Sequence, residues 1–240
     1  MMLLPWQQTQ WQSFMQRLGG NRLPHAILLH GPQGTGKKQF AHTLTMSLLC
    51  QNPTAGEACG QCKSCAVMTS SGAHPDWQQV GLLEDKSAIL VDQIRDLCHA
   101  LSLSAGYAGR RVGVIESAES MNVNAANALL KTLEEPGQDV HIILVANRQG
   151  RLPATIRSRC QPLFLPNPSR ELALQWLAEH YQADDSLLSQ ALNLAGGGPL
   201  LALEWLKEEV VNEARQVAKD LMTLSLSLIH ISEPTRLDDI

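Results

Sequence analysis

The sequence is short of the features that would place it in a membrane, outside the cell or directly on nucleic acid. No apolar run approaches the roughly 20 residues of a bilayer-spanning helix. The opening MMLLPWQQ has neither the basic start nor the long apolar core of a secretory signal. Aromatic residues make up only 4% of the 240, and a formal net charge of −4 leaves no broadly cationic surface. Basic and aromatic residues are not interleaved in clusters, which argues against a stand-alone, zinc-dependent nucleic-acid-binding module. Contact with nucleic acid has to be local or made through partner subunits. Internal repeats are absent too, and the expectation is a cytoplasmic protein with no membrane contact.

What is present is ordinary globular composition, 44% hydrophobic and 18% charged, in a chain long enough for one large core and a smaller one. HAILLH (25–30), WQQVGLL (77–83), RVGVIES (111–117) and HIILVAN (141–147) read as strands, the more continuous apolar runs suiting burial on both faces. Between them, VDQIRDLCHALSL and AANALLKTLEEP carry helical spacing. This alternation predicts an α/β unit with a mainly parallel sheet. After LFLPNPSR, two prolines and a cap at Ser169 mark a boundary. Beyond it the pattern is helical only, ending in PLLALEWLKEEVVNEARQVAKDLM, which reads as one long helix. The expected domains are 1–165, α/β; 166–212, small and all-α; and 213–225, the start of a linker. Residues 226–240, with LSLIHISEPTR, read as adapter-derived sequence rather than native protein.

LLHGPQGTGKKQF (28–40) places a glycine-rich loop between a strand and a helix. Gly31, Gly34 and Gly36 let backbone N–H groups face phosphates, and Lys37 sits where a lysine reaches the β- and γ-phosphates at a helix N-terminus. The next position, which normally supplies a hydroxyl to magnesium, is Lys38, and an ammonium ligates no cation. Thr35 and Thr43 are poorly placed to substitute. RVGVIES resembles the strand that normally ends in two acidic residues, here Glu116 and Ser117. Glu116 can approach a metal, but Ser117 is a poor replacement for a carboxylate that polarises water. Glu119, two residues further on, is a candidate to compensate, but a solvent-facing loop charge is the commoner reading. ATP can be bound by such a site, and its efficient hydrolysis is not expected.

Cys50-x8-Cys59-x2-Cys62-x2-Cys65 is the strongest metal signal. Without an export signal, disulfides are the weaker reading. The spacing departs from common iron–sulfur runs, and a redox pair remains the other rival. Four thiolates with no open position suit structural Zn2+. His74 lies nearby but is not needed for a tetrahedral shell, and Cys98 and Cys160 read as structural.

NALLKTLEEP (127–136) and LPATIRSRC (152–160), with a cysteine loop inserted after the first helix of the α/β unit, resemble bacterial clamp-loader subunits of the AAA+ family over residues 5–215. The resemblance implies a RecA-like domain bearing the zinc loop (50–65), a helical lid, and a C-terminal collar that this chain does not contain. It implies that Ser158-Arg159-Cys160 presents Arg159 as an arginine finger to ATP on a neighbouring subunit, where a guanidinium stabilises transition-state charge. Asn147 falls at the family's polar sensor position, while GGGPLLALEW lacks its second sensor arginine. Together these departures imply a subunit without independent activity, within the DNA polymerase III holoenzyme. Its implied partners are the gamma/tau and delta subunits, the sliding clamp and primed DNA. An ATP-hydrolysing gamma/tau-like motor subunit is the alternative.

Overall fold

A computed structural model describes residues 3–19, 23–54, 56–71, 73–84, 86–107, 109–211 and 217. The expected linker at 213–225, Val217 apart, and the adapter-like stretch at 226–240 lie outside the described residues. The chain divides into two compact units between Pro168 and Ser169.

The first unit is built on five parallel strands: β1 (Ala26–His30), β2 (Trp77–Val80), β3 (Arg111–Ile115), β4 (Val140–Ala146) and β5 (Gln161–Phe164). They lie in the order β2-β3-β4-β1-β5. β1 pairs with β4 on one side (Leu28 opposite Leu144) and with β5 on the other (Leu28 opposite Pro162). Parallel strands need crossovers, and helices α1 (Gln8–Gly19), α2 (Lys37–Leu49), α3 (Lys63–Ser71), α4 (Val91–Ser102), α5 (Val123–Glu134) and α6 (Ala154–Arg157) supply this unit's helices.

Alternation of side chains along the strands divides the interior in two. Ile27, Leu29, Val112, Val114, Ile143 and Val145 face Phe40, Leu44 and Leu48 of α2 and Trp11 and Phe14 of α1. Ala26, Leu28, Ile142 and Leu144 join Leu97, Leu101, Leu129, Leu133 and Ile156 from α4, α5 and α6. Each fully buried side chain of this size contributes about 1.5–3 kcal/mol. Gly113 lets α4 approach β3: a Cβ there would stand 2.9 Å from Leu101 Cδ1.

The second unit contains α7 (Arg170–His180), α8 (Asp185–Leu194) and α9 (Pro199–Lys207). Ser169 Oγ caps α7 by accepting from the Leu172 N–H at 3.3 Å, and Asp184 Oδ1 caps α8 from the Leu187 N–H at 2.6 Å. Pro199 opens α9 at a position where its missing N–H costs nothing. The sequence reading of one long helix from Pro199 onward is corrected here. α9 stops at Lys207, and Glu209 turns left-handed (φ 59°). The apolar spacing passes through the break because Val211 beyond it is buried, so periodicity alone does not register the turn.

Candidate functional site

Ligands of open α/β sheets sit beyond the carboxyl ends of the strands where connections diverge, and β1, between β4 and β5, ends at such a point. The glycine loop leaves from it. Gly34 (φ 78°) and Gly36 (φ 84°) take left-handed backbone that L side chains resist. At Gly31 a Cβ would lie 2.1 Å from the Leu165 carbonyl oxygen, so glycine is required by space as well. The chain's N-terminal part fastens the loop: Gln7 Nε2 donates to the Thr35 and Gly36 carbonyls, each at 2.9 Å, and Trp6 Nε1 donates to Thr35 O at 3.0 Å. Gln7 is 1% exposed. Sequence patterns gave no sign of this clasp, since the partners lie 28 and 29 residues apart.

Lys37 is 5% exposed and its ammonium donates to the Pro32 carbonyl at 2.5 Å. Burial lowers its pKa to about 8, against the opposing influence of Glu119. The same lysine and burial act on His30, where burial is the larger cause of a lowered pKa. Thr35 and Thr43 hydroxyls turn to backbone, donating to Pro32 O and Gln39 O at 3.0 Å.

Lys38 is differently engaged. Its ammonium pairs with Glu116 Oε2 at 2.6 Å, and Gln79 Nε2 donates to Glu116 Oε1 at 2.9 Å. The lysine that replaces a hydroxyl thus sits on the carboxylate that would approach a metal. Past Glu116, Ser117 adopts left-handed backbone (φ 51°) and starts a short 3-10 turn, Ala118–Ser120. That turn brings Glu119 back toward the loop. Glu119 Oε1 accepts from the Asn147 N–H at 2.9 Å, and its Oε2 is buried with no hydrogen-bond partner among the described residues. Reading Glu119 as a solvent-facing charge is therefore a correction, caused by the turn at Ser117. Asn147 directly follows β4 and is exposed.

The four cysteines converge. Cys50, Cys59, Cys62 and Cys65 offer sulfurs all within 4.8 Å of one another, and none is in a disulfide. Cys50 and Cys62 Sγ are 3.9 Å apart. A tetrahedral ion with sulfur ligands at 2.3 Å needs about 3.8 Å between sulfurs, so the set fits four-thiolate coordination. Backbone N–H groups of Cys59, Cys62 and Cys65 donate to Cys50, Cys59 and Cys62 sulfurs at 3.2, 3.3 and 3.4 Å, which favours thiolates. Burial works against ionisation of Cys62, yet such donors bring its pKa to about 6; burial pushes Cys65 up to about 12. The cluster can hold a metal ion. His74 is no ligand: its Nδ1 accepts from the Asp76 N–H at 3.1 Å, which leaves Nε2 to donate to buried Ser64 at 2.9 Å. Asp76, just before β2, in turn accepts from the N–H groups of Gly106 and Tyr107 at 2.7 and 2.8 Å, which fixes the α4–β3 connection there. Outside the cluster, Cys160 is 6% exposed and burial raises its pKa to about 11.

Arg159 follows α6. Its NH1 donates to Thr155 O at 2.9 Å and to Ser158 Oγ at 3.3 Å, and its NH2 pairs with Glu134 Oε1 at 2.6 Å. The side chain keeps 34% of its surface exposed.

The parallel sheet, the glycine loop after β1 and the flanking helices define a RecA-like α/β fold. Among solved structures, a point mutant of Thermotoga maritima RuvB superposes with a TM-score of 0.52 at 15% identity, covering 89% of this chain and 66% of that one. The T. maritima RuvB Holliday junction branch migration motor gives 0.51 at 14% identity, covering 84% and 59%. At such identities the likeness is one of fold. A family model described as "DNA polymerase III, delta subunit" matches residues 6–169. DNA polymerase III subunit delta' of Pseudomonas aeruginosa is 41% identical over 224 residues, 92% of this chain and 67% of that protein. Subunit delta' of Escherichia coli K12 is 31% identical over 242 residues, 97% and 72% of the two chains. Subunit tau of Bacillus subtilis is 28% identical over 194 residues, 79% of this chain and 34% of that protein. The chain belongs to the DNA polymerase III delta-prime (delta') family.

Proposed function

We propose that this chain serves in the DNA polymerase III clamp loader as a subunit that hydrolyses no ATP itself and lends Arg159 to ATP held by a neighbour. The observation that carries the first half is the Lys38–Glu116 ion pair. A magnesium ion at a phosphate loop needs a hydroxyl and a carboxylate, and here one is replaced by an ammonium that occupies the other. Ser117 adds a second deficit, since a hydroxyl does not draw the proton from an attacking water as a carboxylate does. Lys37 and the glycine N–H groups keep the capacity to hold phosphates, so nucleotide can be retained without turnover.

The second half rests on Arg159, a partly exposed guanidinium in the Ser-Arg-Cys motif. Supplied in trans, it stabilises charge on the transferred phosphoryl group, and this makes hydrolysis next door depend on assembly. Gamma/tau and delta subunits, the sliding clamp and primed DNA are the partners this role requires. In the cysteine loop the role of the metal, zinc in this proposal, is structural: four sulfurs leave no open coordination position for chemistry. Residues 1–165 and 166–212 act as the RecA-like domain and its lid.

Titrating the chain with magnesium-ATP, following binding and phosphate release together, tests the first half. No turnover is expected. Steady turnover that is abolished by Lys37→Ala would instead identify an ATP-hydrolysing motor subunit. For the second half, Arg159→Ala is expected to lower hydrolysis by an assembled ATPase partner by about 10³-fold or more, the usual effect of an arginine finger.

A further inference from the structure

We infer that Glu134 is the positioning residue for Arg159, holding its guanidinium in place for use in trans. The inference rests on the reading of Arg159 as the arginine used in trans, and it assigns a role to a residue outside the Ser-Arg-Cys motif.

Both ends of the ion pair are anchored. Glu134 is the last residue of α5, directly after Leu133, which is 1% exposed and one turn past fully buried Leu129. Arg159 precedes buried Cys160 and follows the short helix that buries Ile156 completely. Leu129, Leu133, Ile156 and Cys160 belong to one hydrophobic cluster, so the backbones that carry the acid and the arginine share a packed support.

A carboxylate in the last turn of a helix opposes the helix dipole. Glu134 stands there, 49% exposed, and its Oε1 is 2.6 Å from Arg159 NH2. A local rule broken at one position, with a compensating cation built from a distant one, marks a place where the sequence serves something other than helix stability. The partner it gains is the residue that the motif sets apart.

Arginine has five N–H donors. NH1 donates to Thr155 O and to Ser158 Oγ, and NH2 is ion-paired with Glu134. Among the described residues Nε–H has no hydrogen-bond partner, so donor capacity remains for the oxygens of a phosphate. Held this way, the long side chain has lost its rotamer freedom before a neighbouring nucleotide arrives, so less ordering remains to be done in the transition state. An exposed ion pair alone shifts an equilibrium by about fivefold at most, whereas misplacing a catalytic group by about 1 Å costs about a hundredfold. A positioning role therefore predicts a loss of about tenfold, between those limits.

The test compares the unsubstituted chain with Glu134→Ala, Glu134→Gln, Arg159→Ala and the Glu134→Ala/Arg159→Ala double variant, each assembled with the ATP-hydrolysing partner subunit. In Glu134→Ala, kcat is expected to fall about tenfold with KM for ATP little changed. Glu134→Gln, which keeps an acceptor of the same shape, is expected to retain at least half of the activity. The double variant is expected to match Arg159→Ala. An unchanged or raised kcat in Glu134→Ala overturns the inference, and so does a double variant clearly worse than Arg159→Ala. If Arg159→Ala itself leaves hydrolysis unaltered, it is the trans-arginine reading that fails. Phenylglyoxal modification of Arg159 in the isolated chain, read by mass spectrometry, then still judges the hold. Modification is expected to be faster in Glu134→Ala and normal in Glu134→Gln, and equal rates in all three chains would show that Glu134 holds nothing.

Discussion

The ammonium of Lys38 stands 2.6 Å from one carboxylate oxygen of Glu116, while the other oxygen accepts from Gln79 at 2.9 Å. The acid that follows β3 is thus committed to donors of its own chain. Lys38→Thr removes the competing cation and restores a hydroxyl beside Lys37. It is expected to make nucleotide binding respond to magnesium, with no phosphate release while Ser117 remains. The stability change should stay within about 1 kcal/mol, as for exposed ion pairs. Calorimetric titration of ATP with magnesium and with a chelator decides it: equal sensitivity in both chains would refute the substitution of metal by lysine.

Gln7 gives a second prediction. Its amide serves two buried loop carbonyls at once. Gln7→Ala leaves both without that donor, a cost of about 1–3 kcal/mol for the unmade bonds. Gln7→Glu should be worse, because it turns a buried acceptor and a negative charge toward carbonyl oxygens. Urea unfolding midpoints in the order wild type, alanine, glutamate are the expected result.

Lys37 makes stability depend on pH in a defined window. Its pKa in the folded chain is about 8 against an ordinary 10.5. Between those values the unfolded chain binds more protons at this residue, so its contribution to stability rises with pH through the window and is flat below it. Lys37→Met removes the charged form and is expected to flatten that rise while raising stability at pH 7. Denaturation curves at pH 7, 8, 9 and 10 on both chains measure this, and parallel curves would exclude the lysine as the source.

The cysteine cluster should bind one equivalent of zinc, and Cys62→Ser should lower that content sharply. Removing the metal with a chelator is expected to increase amide hydrogen exchange over 50–71 while β1 and β4 stay protected, since their packing against Phe40, Leu44 and Leu48 uses none of the four sulfurs. Uniform loss of protection throughout the first unit would instead make the metal a condition of the whole fold.

The sheet's inner strands were legible because AILLH and VHIILVA are apolar almost without interruption, as burial on both faces demands. β5 was not. QPLF contains a proline and two exposed residues besides it, and it is tolerated as a strand because it lies at the sheet's edge. The convergence of the four cysteines and the left-handed glycine turns after β1 were legible, because local spacing and geometry dictate both. Glu134, Gln7 and Gln79 stayed hidden for the opposite reason: each acts on a residue 25 or more positions away, brought near only by the fold. Glu119 was misread because a left-handed Ser117 reverses the chain just before it.

β1 is the first strand to be made, yet it is seated between β4 and β5, the last two. Gly31 closes against Leu165, 134 positions later in the chain. The glycine loop therefore cannot take its final shape on a nascent chain until the whole first unit has been synthesised. Such distant pairing slows folding, because the entropy of closing long loops is lost before the contacts are gained. A fragment that stops short of residue 161 would leave one flank of β1 unpaired, an open strand edge on which other chains can pair.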